Sequence, residues 1–183
     1  MGQNKFSLWF IIAVSLFSIC SSVIADDEES DRLSLKGLKG ICVRVIITVE
    51  ETEEFKKRGL YEETIRTDIE LKLRMAGVNV VSIDELNKIP GRPLLVVSLA
   101  GLPVATRKDT GDKYMAFGVT ITFFQDVLLS RNMERYPSAA TWSDFFIGSE
   151  PTKGKANHIR GIIKDRTDRF VNAYLSVNPK RGN

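Results

Sequence analysis

The residues able to do chemistry are few. His158 is the single histidine, and Cys42 the one cysteine outside the N-terminal apolar segment that holds Cys20. A cysteine nucleophile needs a base within hydrogen-bond reach, and His158 is the only histidine that could serve. Arg44, two residues along and on the same side of an extended chain, would favour the thiolate. Against this, a lone thiol in an apolar strand packs as a small hydrophobe. Asp109-Thr110-Gly111 spells the triplet of aspartic proteases, whose chemistry needs two carboxylates sharing a proton in a dry site. Here Lys108 and Asp112-Lys113 flank it, and a solvated glycine turn accounts for it. A metal site needs convergent ligands, and no spaced pair of His or Cys exists. At the start of a helix, a protonated His158 would oppose the helix dipole, so it reads as a surface residue. Gly37-Leu38-Lys39-Gly40 and Gly154-Lys155 lack the spacing of a phosphate-cradling loop. No catalytic residue, metal ligand or cofactor is therefore assigned.

The residues suited to recognition are Trp142, Tyr114, Thr120, Thr122 and Arg44. Aromatics beside hydroxyls and a guanidinium make a binding surface. The competing expectation is that Trp142 is core and Tyr114 a strand-end residue, because large aromatics are mostly buried.

The elements that must position these residues follow from periodicity. Between Tyr114 and Arg131, Met115, Phe117, Val119, Ile121 and Phe123 alternate with Tyr114, Ala116, Gly118, Thr120 and Thr122. The pattern predicts a long strand with one apolar face and one small, hydroxylated face. Gly40–Glu50 repeats it, with Val43, Val45 and Ile47 opposite Arg44, Ile46 and Thr48. Strands are also predicted at Val78–Val81, Leu94–Leu99 and Ala139–Ile147, the last forming a hairpin with the long strand. Leu60–Ala76 and His158–Leu175 read as amphipathic helices, with Gly77 ending the first and Asn157 capping the second. Glu51–Lys57 reads as a charged loop, and Ser82–Leu86 as a short helical turn. The expected fold is α+β: a two-layer sandwich with a mainly antiparallel sheet of about five strands. Two helices cover one face, in the order βαββββα.

The N-terminus reads as an export signal. Lys5 supplies the positive charge, Leu8–Ile19 is apolar but short for a membrane span, and Val23-Ile24-Ala25 suits cleavage after Ala25. Lipidation at Cys20 is the lesser reading, because Ile19 is bulky. The division is a signal peptide at 1–25, a flexible acidic leader at 26–36, one domain at 37–179 and a tail at 180–183. Processing leaves one thiol, no internal disulfide and no membrane span in the mature chain. The net charge is +3, with no concentrated basic stripe, which argues against nucleic-acid binding. The absence of any Asn-x-Ser/Thr sequon leaves a bacterial periplasmic or secreted location as the preferred one.

The sequence resembles a group of small exported bacterial proteins of uncharacterised function. The likeness is carried by GLYEETIRTDIELKLRMAGVNV, the Pro90-Gly91-x-Pro93-Leu94 turn, Ala140-Thr141-Trp142-Ser143 and the FVNAYLSVNP ending. It spans most of the mature chain and brings no catalytic residues. More loosely, the element order is similar to that of envelope domains that assist ABC transporters or outer-membrane assembly. The expected function is a non-enzymatic envelope accessory domain that binds an envelope protein through a sheet edge or the hydroxylated face. The alternative is a carrier of a lipid or small ligand in a groove between sheet and helices. A hydrolase ranks third.

Overall fold

The computed structural model describes residues 29–48, 52–106, 108, 110–153 and 156–179. The signal segment with Ala25 and Cys20, Asp109 of the protease-like triplet, Gly154-Lys155 and the tail lie outside the described residues.

The alternating segments pair into one sheet. β1 is Cys42–Thr48, β2 Leu94–Thr106, β3 Lys113–Leu128 and β4 Arg135–Pro151, lying in that spatial order. β1 and β2 are parallel, while β2–β3 and β3–β4 are antiparallel. The sheet is thus mixed and four-stranded rather than five-stranded. The expected strand at Val78–Val81 shrinks to one parallel bridge, Ile41 to Val80. Two of its residues cannot continue, because Ser82 turns the chain into a helix through a capping box with Glu85.

The helices among the described residues are α1, Glu29–Leu33; α2, Thr52–Lys57; α3, Glu62–Met75; α4, Ile83–Leu86; and α5, Asn157–Val177. α2 replaces the expected charged loop, and α1 stands within the expected flexible leader. Both lie beside a buried anchor: Phe55 within α2 and Leu35 just after α1 are fully buried. A single buried anchor in an otherwise charged segment sets up no repeat, so periodicity alone does not reveal it.

α3 buries Ile65, Ile69 and Leu73. It ends in a Schellman arrangement at Gly77, whose φ is +87°: Val78 N–H donates to Leu73 O and Gly77 N–H to Arg74 O, each at 2.9 Å. α5 buries Ile159, Ile162, Ile163, Thr167, Phe170, Val171 and Ala173. Its N-cap is Ala156, without a side-chain cap; Asn157 is already its first helical residue.

The core lies between these helices and one face of the sheet: Val43, Val45 and Ile47; Leu95, Val97 and Leu99; Met115, Phe117, Val119, Ile121 and Phe123; and Trp142. The Trp142 and Phe170 rings meet edge-on at 5.1 Å, and Phe123 and Phe170 at 5.6 Å. Polar groups on the same face are neutralised locally. Asp144 is buried, with Arg166 at 3.1 Å and Arg169 at 3.4 Å. Glu150 pairs with buried Arg58, which ties the chain after α2 to the end of β4.

Candidate functional site

The other face of the sheet is built by the residues left over from that core. The register sets them in rows across the strands. Arg44, Val96, Thr122 and Ser143 form one row, Ile46, Ser98, Thr120 and Phe145 the next, and Thr48, Ala100, Gly118 and Ile147 a third. Arg44, Thr120 and Phe145 are exposed; Ile46, Val96, Ser98 and Thr122 are half-buried. Phe145 and Ile147 keep 52% and 75% of their surface in contact with solvent. Left in water, two such side chains on adjacent rows beside Ile46 make an apolar strip that hydration disfavours.

The sequence-derived binding residues divide. Arg44, Thr122 and Thr120 fall on this strip. Tyr114 shares their face, half-buried opposite Pro151, but six residues along β3 from Thr120, about 20 Å. Trp142 lies on the opposite face, only 3% exposed against Phe170. Trp142 is thus a core residue, the competing expectation, and is not part of the hydroxylated face. The register irregularity between Phe123/Trp142 and Phe124/Ala140 leaves Thr141 as the extra residue on β4. From Trp142 onward the even residues point into the core. Phe145 and Ile147 were not singled out from the sequence, although their odd spacing from a core Trp142 was a usable signal.

The residues considered for chemistry are not brought together. Cys42 is buried in the row of Leu94 and Phe124, whereas exposed His158 stands edge-on to Phe117 at 6.1 Å, on the covered face. Phe117 and Phe124 are seven residues apart on one strand, about 23 Å. Burial pushes the Cys42 thiol above its ordinary value and Glu70 adds to the rise, against the opposing pull of Arg44 and Arg66. The activation of this thiol by Arg44 is thus outweighed. Among the described residues no cluster of three or more His, Cys, Asp or Glu could hold a metal ion.

Recesses open between the described helices and at the sheet edge. A cleft of about 280 Å³ lies between α3 and α5, lined by Ile65, Ile69, Leu71, Ile163 and Thr167. Arg160 reaches Asp68 at 2.6 Å across its rim, and Lys72 pairs with Asp168 there. A second, polar groove of about 670 Å³ follows the outer edge of β1, between Val43–Val45, α3 and Val80–Ile83. Among the described residues no helix is long and apolar enough to cross a membrane.

No family model matches the chain, and no curated protein matches it. Solved structures do. A PelC dodecamer from Paraburkholderia phytofirmans is similar at 15% identity, over 74% of this chain and 86% of that one, with a TM-score of 0.39. Lipoprotein GNA1162 from Neisseria meningitidis is similar at 11% identity, over 73% and 97%, with a TM-score of 0.37. The rare lipoprotein B from Shewanella oneidensis is similar at 14% identity, over 74% and 91%, with a TM-score of 0.30. The chain thus resembles bacterial lipoproteins and an oligomeric PelC assembly, at identities and TM-scores too low to transfer what any of them does.

Proposed function

We propose that the chain is a non-enzymatic, exported domain that binds another protein of the cell envelope through the uncovered face of its sheet. The carrying observation is the one-sided cover. Among the described residues, helices hide only the face of Val119 and Trp142, while Ile46, Phe145 and Ile147 stand in adjacent rows on the other with threonines and Arg44 around them. An apolar strip rimmed by hydroxyls and a guanidinium has the make-up of a protein-binding patch. The N-terminal export signal read from the sequence supplies the envelope setting.

The carrier reading comes second. It has the cleft between α3 and α5 in its favour, but this falls just under the roughly 300–1,000 Å³ usual for ligand sites, and it lies between helices rather than between sheet and helices.

The test is a photo-crosslinking amino acid placed at Phe145, at Ile147 and, on the helical layer, at Leu71, in the chain expressed in a bacterium with an outer membrane. Protein adducts at the two sheet positions and none at Leu71 are expected. Adducts confined to Leu71, or none at either sheet position, would sink the proposal.

A further inference from the structure

The outer edge of β1 is an unfinished ladder inside a groove. The even residues of β1 bond to β2, as Cys42 N–H does to Pro93 O at 3.0 Å. Strand geometry therefore sends the N–H and C=O of Ile41, Val43, Val45 and Ile47 outward. At the start of the strand this edge is already paired: Ile41 N–H donates to Asn79 O at 2.8 Å, and Val81 N–H donates to Ile41 O at 3.0 Å. At its end, Ile47 N–H donates to the Glu62 carboxylate at 2.9 Å. Between them, no described residue hydrogen-bonds the outward groups of Val43 or Val45.

We infer that the β1 edge receives an extended peptide segment of another protein, which lies in the 670 Å³ groove and continues the pairing that Asn79–Val81 begins. Backbone groups spaced two residues apart are satisfied together only by another extended backbone, and sheet edges bind peptides in this way. Glu62 holds the place of one peptide carbonyl, covering the Ile47 N–H until that carbonyl displaces it. Side chains of the bound strand alternate. Those on the uncovered side meet Arg44, which has no ion-pair partner among the described residues, and favour an acid. Those toward α3 meet both signs of charge, because Glu63 is paired with Arg66 at 2.7 Å and Arg74 lines the groove beside Glu70.

A second copy of this chain suits the groove less well. Its β1 carries its own α3, whereas the opening between α3 and Val80–Ile83 is lined for one strand. The far edge, β4, is interrupted at both ends of its outward run. Pro137 and Pro151 lack N–H donors, Thr141 forms a bulge, and the Ser34 hydroxyl already donates to Thr141 O at 3.1 Å.

The inference does not rest on the uncovered face, and its test reads different atoms. Peptides are selected from a random displayed library on the folded, signal-free chain, then titrated while backbone amides are followed by NMR. Val43 and Val45 amides should shift and gain exchange protection, with Phe145 and Ile147 amides unchanged. Methylating alternate peptide nitrogens should abolish binding. Glu62→Ala should tighten it about two- to tenfold, the worth of one backbone hydrogen bond, while Glu62→Gln leaves it nearly unchanged. A selection that yields no binder, binders that leave Val43 and Val45 untouched, or equal binding of the methylated peptides would overturn the inference. So would self-association of the free chain that protects those same amides.

Discussion

The two faces of this sheet come from strands with the same alternation, yet they end in opposite states. On the covered side, Phe123, Trp142 and Phe170 interlock with almost no exposure. On the other, Phe145 and Ile147 stand in water two residues apart on the same strand as Trp142. Apolar character alone does not decide which side of β4 becomes core. The side with Asp144 and Glu150 is the buried one, because Arg166, Arg169 and Arg58 reach those carboxylates. A strand can carry its charges inward and its apolar groups outward when the covering layer supplies counter-ions. The apolar groups left outside then need another explanation, which the proposed partner would provide.

The largest break in the comparison should come from Phe170→Ala. It removes the ring against which both Phe123 and Trp142 pack, and should cost about 3–5 kcal/mol in chemical denaturation. Gly101→Ala comes next. A Cβ there would stand 2.5 Å from the buried Phe55 ring, so about 1–3 kcal/mol should be lost as α2 is pushed off the sheet.

A smaller effect is expected at the far end of the β3–β4 hairpin. Asp126 accepts two bonds from Arg92 at 2.9 Å, and bonds from Arg135 and from Ser138 N–H at 3.2 Å. The Arg92 bonds do most to hold its carboxyl well below the usual range, against an opposing push from burial; Arg135 and the Ser138 amide add to the lowering. A carboxyl depressed in the folded state stabilises fully above its unfolded value. That contribution disappears as pH falls through the lower folded value. Thermal stability should therefore hold from neutrality to about pH 4 and fall below it, and Asp126→Asn should flatten that acid slope.

Ile147→Ser should be the mildest, within about 0.5 kcal/mol of the parent, since the side chain is three-quarters exposed. An unfolding midpoint shifted as far as that of Gly101→Ala would mean that the uncovered face is part of the structural core and not a spare surface.

Much of the fold was legible in the sequence. The long strand expected at Tyr114–Arg131 is Lys113–Leu128, and the strand at Gly40–Glu50 is represented by Cys42–Thr48. The helix expected at Leu60–Ala76 is Glu62–Met75. These segments have clean periods of two or of 3.6, and local pattern suffices for them. The expected strand at Val78–Val81 failed because its partner edge is shared with a capped turn, a tertiary circumstance. α2 was missed because a single Phe55 anchors it. Of the residues expected to bind, Arg44, Thr120 and Thr122 share the uncovered face, whereas Trp142 is core, as the competing expectation had it. In Trp142-Ser143-Asp144-Phe145-Phe146-Ile147 both alternating sets contain aromatics, and the set with the acid is the buried one. That choice depends on Arg166 and Arg169, more than twenty residues downstream, and on a bulge fixed by strand pairing.

The parallel pairing of β1 with β2 has a consequence in time. Cys42 pairs with Leu94 across more than fifty residues of chain, whereas β2, β3 and β4 follow one another through short turns. Closing the longer loop costs more chain entropy before any contact repays it, so the three-stranded meander should assemble early and β1 should dock late. Pulse-labelled hydrogen exchange during refolding should show Val96 and Ile121 amides, which bond within the meander, protected ahead of Arg44 and Ile46. The groove beside β1 would then exist only in molecules that have finished folding, and a peptide arriving there would meet a completed domain and not a nascent chain.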